Sequence, residues 1–175
     1  MQQLPPTNQT NDGVTKWMVI LAWIAGLGLI TFVFAELLEQ QFNPNQSPDS
    51  YRQAGSIEVR LVQNRAGHYV ASGSINQHPV VFLVDTGATD VSIPAHLADK
   101  LGLLAGRRAY AQTANGVVPI AETRINEIAI GDIKLFDVEA NLNPSMQGNE
   151  ILLGMSFLRQ IEFTQKGNEL ILRTL

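Results

Sequence analysis

The sequence predicts a mostly antiparallel all-β domain of about 120 residues that follows one transmembrane helix. Three observations support this fold class. Residues 17–35 carry no charge, a polar stretch follows to residue 55, and short apolar segments separated by turns fill the rest of the chain. The predicted division is a disordered tail (1–16), a transmembrane helix (17–36), a flexible linker (37–55) and the β domain (56–175).

The apolar run at residues 17–35 predicts the membrane-spanning helix. At a rise of about 1.5 Å per residue it extends roughly 28 Å, close to the hydrocarbon thickness of a bilayer. Trp17 and Trp23 lie toward its amino end, and Lys16 lies just outside it, as expected of interfacial anchors. A buried core helix would carry a polar face that this run lacks, whereas a cleaved signal peptide has an apolar core of only about 7–15 residues.

The basic residues that flank the run predict its orientation. Lys16 precedes it, and the next basic residue is Arg52. Because basic residues are retained on the cytoplasmic side, this asymmetry favours a cytoplasmic amino terminus and an exported β domain. The polar linker between them would let neighbouring domains meet.

Composition excludes several classes of function. The net charge is −4 and the longest basic cluster is Arg107-Arg108, so the chain lacks the basic surface that nucleic-acid binding requires. The sequence contains no cysteine, which excludes disulfides, thiolate metal sites and a cysteine nucleophile. His68, His78 and His96 do not have metal-ligand spacing, and we expect no metal site.

Short β-type segments fill the folded domain. One short helix is predicted at residues 95–101, after Pro94 and before Gly102. The last segment, residues 169–173, either completes a sheet with a second copy or closes the sheet of its own domain. Strands are predicted at 57–62, 69–75, 80–84, 108–112, 117–122, 124–130, 133–141, 151–153, 161–165 and 169–173.

The segment from Phe82 to Thr89 contains the candidate catalytic group. An apolar strand is followed by Asp-Thr-Gly-Ala, so Asp85 lies at the end of the strand and at the start of a tight turn. An acid at the exit of a buried strand is costly unless hydrogen bonds compensate. Gly87 lets the turn approach the carboxylate, Thr86 supplies a hydroxyl, and Ala88 leaves space for a ligand. An ordinary β-turn can have the same letters, so the surrounding sequence must decide.

Two later segments supply that context. Ile-Leu-Leu-Gly at residues 151–154 is an apolar strand closed by Gly154, and Met-Ser-Phe-Leu follows it. Residues 110–118 predict a β-hairpin with the polar tip Asn115-Gly116. Each segment alone is typical of many β proteins. In this order, with the hairpin between the two apolar motifs, they resemble the active-site motif, flap and second apolar motif of retropepsin-like aspartic proteases.

The resemblance covers nearly all of residues 56–175 and is greatest to bacterial membrane-anchored single-domain members. It implies a single-lobe acid protease fold, an inner-membrane location with the β domain in the periplasm, peptide or protein substrates, and no cofactor. Thr89 departs from the family because an acid often stands there. The implied site comprises catalytic Asp85, the active-site loop Thr86, Gly87 and Ala88, substrate contacts at Thr89, Asp90, Asn115 and Gly116, and loop support from Leu153 and Gly154.

The number of catalytic motifs predicts the assembly. The family's chemistry uses two carboxylates, and this chain contains one Asp-Thr-Gly. A homodimer would supply the second Asp85, with Thr86 of each chain bracing the loop of the other. The alternatives are a catalytically silent peptide-binding module on the same fold and a structural membrane protein whose β domain mediates oligomerisation.

Overall fold

The computed structural model describes residues 12–53, 55–113 and 116–175. The chain divides into two units, and the boundary between them in the sequence falls between Glu39 and Gln40. Helix α1 spans Asp12–Phe42. Its segment Lys16–Phe42 is long and apolar enough to cross a membrane, and a signal sequence near the amino terminus would have the same properties. The hydroxyl of Thr31 donates to the Leu27 carbonyl at 2.8 Å, so its donor is satisfied within the helix.

Strands dominate the second unit, as the sequence predicts. A 3₁₀ turn spans Ala95–Leu97, and helix α2 is Met155–Leu158. The strands are β1 (Asp49–Gln53), β2 (Ser56–Val62), β3 (Val70–Ile75), β4 (His78–Val84), β5 (Val91–Pro94), β6 (Arg108–Thr113), β7 (Gly116–Ile130), β8 (Ile133–Asn143), β9 (Glu150–Leu153), β10 (Ile161–Lys166) and β11 (Glu169–Thr174).

The strands form two sheets. The larger sheet has the order β3-β4-β9-β5-β8-β7-β6, and β3 also pairs with β7. Its ladders are antiparallel except β4 with β9 and β5 with β8. The smaller sheet is antiparallel, with the order β1-β2-β11-β10. Strand β11 therefore closes the sheet of its own domain, which decides between the two alternatives left open by the sequence.

The core is built from the inward faces of both sheets and from α2. Apolar side chains that alternate along the strands are removed from water, and each fully buried one contributes about 1.5–3 kcal/mol relative to exposure. Fully buried examples from the two sheets and the helix are Leu61, Phe82, Ile93, Ile125, Ile151, Phe157 and Leu172.

The segment predicted as a flexible linker differs from that prediction in the structure. Helix α1 continues to Phe42, and β1 occupies the end of the segment. Asn43 and Asn45 are only 4% and 5% exposed. The Asn45 side chain donates to the Val62 and Val70 carbonyls at 2.9 and 2.6 Å and accepts from the Val62 amide at 2.7 Å. Side-chain amides that replace backbone partners let a polar segment be buried, and composition alone does not reveal this.

Smaller differences concern segment limits. The helix predicted at 95–101 is shortened to the 3₁₀ turn Ala95–Leu97, followed by turns. The two strands predicted on either side of Thr123 are one continuous strand, β7, because β8 pairs along both halves. The four-residue strand β5 lacks a predicted counterpart, since it is defined by its neighbours β8 and β9 rather than by a periodic pattern of its own.

Candidate active site

Asp85 is the first residue beyond β4, at the end of a parallel pair of strands. Val84 is in register with Leu153 of β9, and the Asp85 amide donates to the Leu153 carbonyl at 3.2 Å. Phe82 and Leu153 are fully buried, whereas Asp85 is partly exposed. The apolar strand thus anchors the loop in the core and leaves the carboxylate accessible.

The loop after Asp85 folds back on the carboxylate. The Gly87 amide donates to Asp85 Oδ1 at 2.9 Å, and the Ala88 amide donates to the Asp85 carbonyl at 3.2 Å. A Cβ atom at Gly87 would lie 3.2 Å from Asp85 Oδ1, so glycine permits this close approach. Thr86 and Gly87 are exposed. The catalytic candidate and its turn therefore form one accessible surface.

Gly154 packs directly against the backbone of the active-site loop, which is possible because it has no side chain. A Cβ atom there would lie 2.2 Å from the Asp90 carbonyl oxygen and 2.8 Å from the Ala88 carbonyl oxygen, both closer than real contacts. The predicted pairing of the Ile-Leu-Leu-Gly motif with the active-site loop has this steric basis. Leu153 supplies the carbonyl for Asp85, and Gly154 lets the following backbone pack against the loop.

Helix α2 holds the far end of the loop. The amides of Met155 and Ser156 donate to the carbonyls of Ala88 and Thr89, each at 2.9 Å. The Ser156 hydroxyl accepts from the Val91 amide at 2.9 Å and donates to the Glu139 carbonyl at 2.7 Å. Ser156 is a residue of this site that the sequence does not predict. Its two partners, Val91 and Glu139, are distant in the chain, so no local pattern points to this role.

Asp90 lines two grooves of about 670 and 310 Å³. Asp85 is not among the residues that line either groove. Partial burial raises the pKa of the Asp90 carboxyl, Glu139 raises it further by repulsion, and Arg159 opposes both. Arg124 lies in both grooves and forms ion pairs with Asp137 and Glu139 at 3.0 and 3.1 Å.

The predicted flap is present as the β6–β7 hairpin. Its strands pair from Arg108 with Ala121 to Thr113 with Gly116, and Gly116 has a φ of 109°. Asn115, the other predicted substrate contact on this hairpin, lies outside the described residues. Among the described residues, backbone hydrogen bonds connect the Asp85 loop to Leu153 and to the start of α2. The hydrogen bond given for Gly116 is to Thr113 of its own hairpin, so Gly116 does not belong to this connected set.

Comparison with known proteins identifies this arrangement. The family model described as gag-polyprotein putative aspartyl protease matches residues 71–160, which include the Asp85 loop, the flap hairpin and Gly154. A solved retropepsin-like aspartic protease from Rickettsia conorii is 26% identical. The alignment covers 73% of this chain and 94% of that chain, with a TM-score of 0.56.

Two uncharacterized proteins are also similar in sequence. One, encoded in the cobV 5′ region of Sinorhizobium sp, is 32% identical over 68% of this chain and 53% of its own length. The other, RP867 of Rickettsia prowazekii (strain Madrid E), is 31% identical over 65% of this chain and 50% of its own length. The chain thus spans about half the length of these curated relatives. With the family model covering half of the chain and including the active-site loop, the chain belongs to the retropepsin-like aspartic proteases.

Proposed function

We propose that this protein is a membrane-anchored aspartic endopeptidase that is active as a homodimer, with one Asp85 from each copy. The observation that carries the proposal is the Asp85 loop itself. Its backbone is fixed by β9 and α2, while the carboxylate and the adjacent Thr86 and Gly87 face outward. A fixed but accessible carboxylate suits catalysis, because a misplaced reacting group loses much of its rate.

The chemistry requires two carboxylates that share one proton, since like charges about 3 Å apart do not both ionise. One carboxylate accepts a proton from a water molecule, which attacks the scissile carbonyl carbon. The other donates a proton to the carbonyl oxygen, which gives a tetrahedral intermediate. The first carboxyl then returns its proton to the amide nitrogen, the C–N bond breaks, and the second carboxylate recovers a proton from a hydroxyl of the intermediate, which releases the amine and the acid. The apparent pKa values belong to the pair rather than to one residue.

The dimer follows from the single motif and its exposure. The chain contains one Asp-Thr-Gly, so the second carboxylate comes from another copy on a two-fold axis. In that dimer the exposed Thr86 of each copy braces the loop of the other. Thr89, Asp90, Asn115 and Gly116 then contact the peptide, with Gly116 bringing backbone groups closest because it has no side chain.

The apolar segment of α1 supports the membrane part of the proposal. Residues 17–35 anchor the protein in an inner membrane, with the β domain on the periplasmic side, according to the distribution of Lys16 and Arg52. Confinement in a bilayer raises the local concentration of copies, which favours dimer formation. Substrates are proteins or peptides that come near the bilayer.

Proteolysis by the full chain in detergent or lipid vesicles tests the proposal. A denatured protein substrate is incubated between pH 4 and pH 7 with the parent, Asp85→Asn and the matched control Asp99→Asn, which changes an exposed carboxylate elsewhere. We expect Asp85→Asn to lose at least about 10³-fold in rate, within the range for a catalytic acid–base group, and Asp99→Asn to retain the parent's rate.

The concentration dependence tests the dimer separately. Below the dissociation constant of the dimer, the rate should rise with the square of enzyme concentration, and inactive Asp85→Asn should lower the activity of the parent by forming mixed dimers. Cleavage that survives in Asp85→Asn would contradict the site. A parent that binds peptides without cleaving them would favour the silent binding module instead.

A further inference from the structure

A groove beside the flap hairpin has a lining that differs from the Asp85 site. It encloses about 500 Å³, within the range of about 300–1,000 Å³ that small-molecule sites occupy. The hairpin supplies part of its wall, and the remainder comes from the segment between β5 and β6 and from the end of β8. Among the described residues that line it, none belongs to the Asp85 loop, so it is a separate candidate for binding.

The groove forms where the two neighbours of β7 diverge. Ala121 of β7 is in register both with Arg108 of β6 and with Leu142 of β8. Strand β8 ends at Asn143, so in the part of the chain that the structure describes, β7 before Ala121 pairs with β6 alone. The hairpin therefore separates from the sheet beside Leu142, and the groove lies in the gap.

The wall of the groove is apolar except at one residue. Ile120 and Leu142, two of its members, are only 9% and 4% exposed, and alanines, prolines and a tyrosine supply most of the remaining surface. Among the described lining residues, Arg108 alone carries a charge. An arginine side chain can lie along apolar surface with its guanidinium in water. The groove thus combines an apolar interior with one positive charge.

The neighbouring arginine shows that this charge is uncompensated. Arg107 donates to both carboxylate oxygens of Glu122, at 3.1 and 2.7 Å. Arg108 is exposed and forms no ion pair with any described residue. Because no described lining residue is acidic, a ligand carboxylate in the groove would meet a cation and no like charge within the wall.

We propose that this groove binds a long-chain fatty acid. The acyl chain lies against the apolar wall and is removed from water, while the carboxylate pairs with the Arg108 guanidinium, whose planar fork matches a carboxylate. Ile120 and Leu142 are the buried contacts for the chain, and Arg108 decides that the ligand is an acid rather than a neutral lipid.

The wall favours an acyl chain over a peptide. A peptide carries an N–H and a C=O group at nearly every residue, and each of these groups is costly to bury without a partner. In the described wall the side chains that can form hydrogen bonds are Arg108 and Tyr110. Pro119 lies in the stretch of β7 that borders the gap, and a proline lacks the N–H that an added strand would need.

A bound chain would connect the hairpin to parts of the domain outside it. Ala109 and Ile120 belong to the hairpin, whereas Ala98 and Leu142 do not, and all four line the groove. An occupant that contacts both groups would restrict movement of the hairpin. This consequence rests on the proposed function, in which the hairpin closes over substrate, whereas binding itself is measurable without activity.

Photolabelling tests binding in the full chain, in phosphatidylcholine vesicles. The probe is palmitic acid with a diazirine in its chain, and mass spectrometry locates the labelled residues. We expect label within residues 95–98, 108–110, 119–121 or 142–144, and its loss when excess unlabelled palmitate competes. Label on α1 measures the probe that is dissolved in the bilayer and serves as the internal reference.

Two arginine variants test recognition of the carboxylate. Arg108→Gln should weaken the competition by palmitate about 3- to 5-fold, as expected for one exposed ion pair, and should leave competition by hexadecanol unchanged. Arg107→Gln, the matched control, removes the same charge one residue away and should behave as the parent. Equal effects of the two variants on competition by palmitate would overturn the proposal.

Filling the groove tests the site without changing charge. Ala98→Leu places a larger side chain in the wall and should reduce groove labelling relative to α1, whereas Ala66→Leu, at an exposed turn outside the wall, should not. Melting curves establish that both variants fold. Unchanged labelling in a folded Ala98→Leu variant would contradict the site.

Proteolysis in the same vesicles separates the two proposals. Saturating palmitate should lower kcat/KM about 5-fold, at the lower end of ordinary coupling between two sites. Label confined to α1 in a protein that cleaves substrate would overturn the fatty-acid site and leave the protease intact. Specific groove labelling in a protein that cleaves no substrate would support the site and contradict the proposed function.

Discussion

The active-site loop and the flap hairpin are held in different ways. The loop is fixed from two directions, because Leu153 accepts the Asp85 amide and the start of α2 donates to Ala88 and Thr89. Among the described residues, strand β6 of the hairpin pairs with β7 alone, and Tyr110 and Val117 are 78% and 62% exposed. The difference is that the candidate loop is held by more neighbours than the hairpin, which is what the proposed function requires if the hairpin closes over a substrate.

Adding a side chain at Gly154, where the backbone packs against the active-site loop, should have the largest effect on stability and activity. In Gly154→Ala the new Cβ would lie 2.2 Å from the Asp90 carbonyl oxygen, and that atom belongs to the backbone. We expect the loop to shift, with a loss of about 2 kcal/mol in the free energy of unfolding and about 100-fold or more in proteolytic rate. Thermal melting and a peptide-cleavage assay measure the two effects.

Gly148→Ala is the matched control for that variant. Its Cβ would meet the end of the flexible Glu150 side chain, which can turn away, so parent-like stability and rate are expected. Equal losses of stability and rate in both variants would contradict the specific role of Gly154 in packing against the loop.

Loosening the far end of the loop should have a smaller effect. Ser156→Ala removes the hydroxyl that accepts from the Val91 amide and donates to the Glu139 carbonyl. We expect a loss of about 1 kcal/mol in stability and about 10-fold in kcat, because the partly buried Val91 amide loses its acceptor and the exposed Glu139 carbonyl loses a donor. Ser156→Thr should restore most of kcat, and an unchanged kcat in Ser156→Ala would contradict the role.

Changing the flap should alter binding rather than stability. Tyr110 is exposed, so Tyr110→Ala is expected to change the free energy of unfolding by no more than about 0.5 kcal/mol. If the hairpin covers substrate, KM should rise by about 3- to 10-fold with kcat nearly retained. A large loss of stability would instead indicate that the hairpin is as rigidly held as the loop.

The smallest expected effect concerns pH and Asp90. Burial and Glu139 raise the pKa of this carboxyl above its ordinary value of 3.8, so the folded state binds the proton more tightly than the unfolded state. Its stabilising contribution is complete below the unfolded pKa and is lost as pH rises through the folded pKa. Asp90→Asn should remove this dependence, giving a gain of less than about 1 kcal/mol at neutral pH after solvent screening. Melting curves at pH 3 and pH 7 test the sign.

Local sequence predicts the site better than its surroundings. The strand before Asp85, the Asp-Thr-Gly turn and the Gly154 motif each have a pattern in adjacent residues, and the structure brings them together through β4 and β9. Ser156 has no such pattern, because its role depends on Val91 and Glu139, which are distant in the chain. The same reason explains why the segment that contains the buried Asn43 and Asn45 was predicted to be a flexible linker: the partners of Asn45 are Val62 and Val70, which are distant in the chain.

The sequence by itself determined the apolar helix, the β character of the domain and the residues of the candidate active-site loop, since these depend on periodicity, turn residues and side-chain chemistry within short segments. Only the tertiary structure decided that β11 closes its own sheet, that the loop is fixed by α2, and that β10 is the last strand of the smaller sheet. These properties depend on which distant strands become neighbours, and hydrogen bonds and close packing between them are not encoded in any one segment.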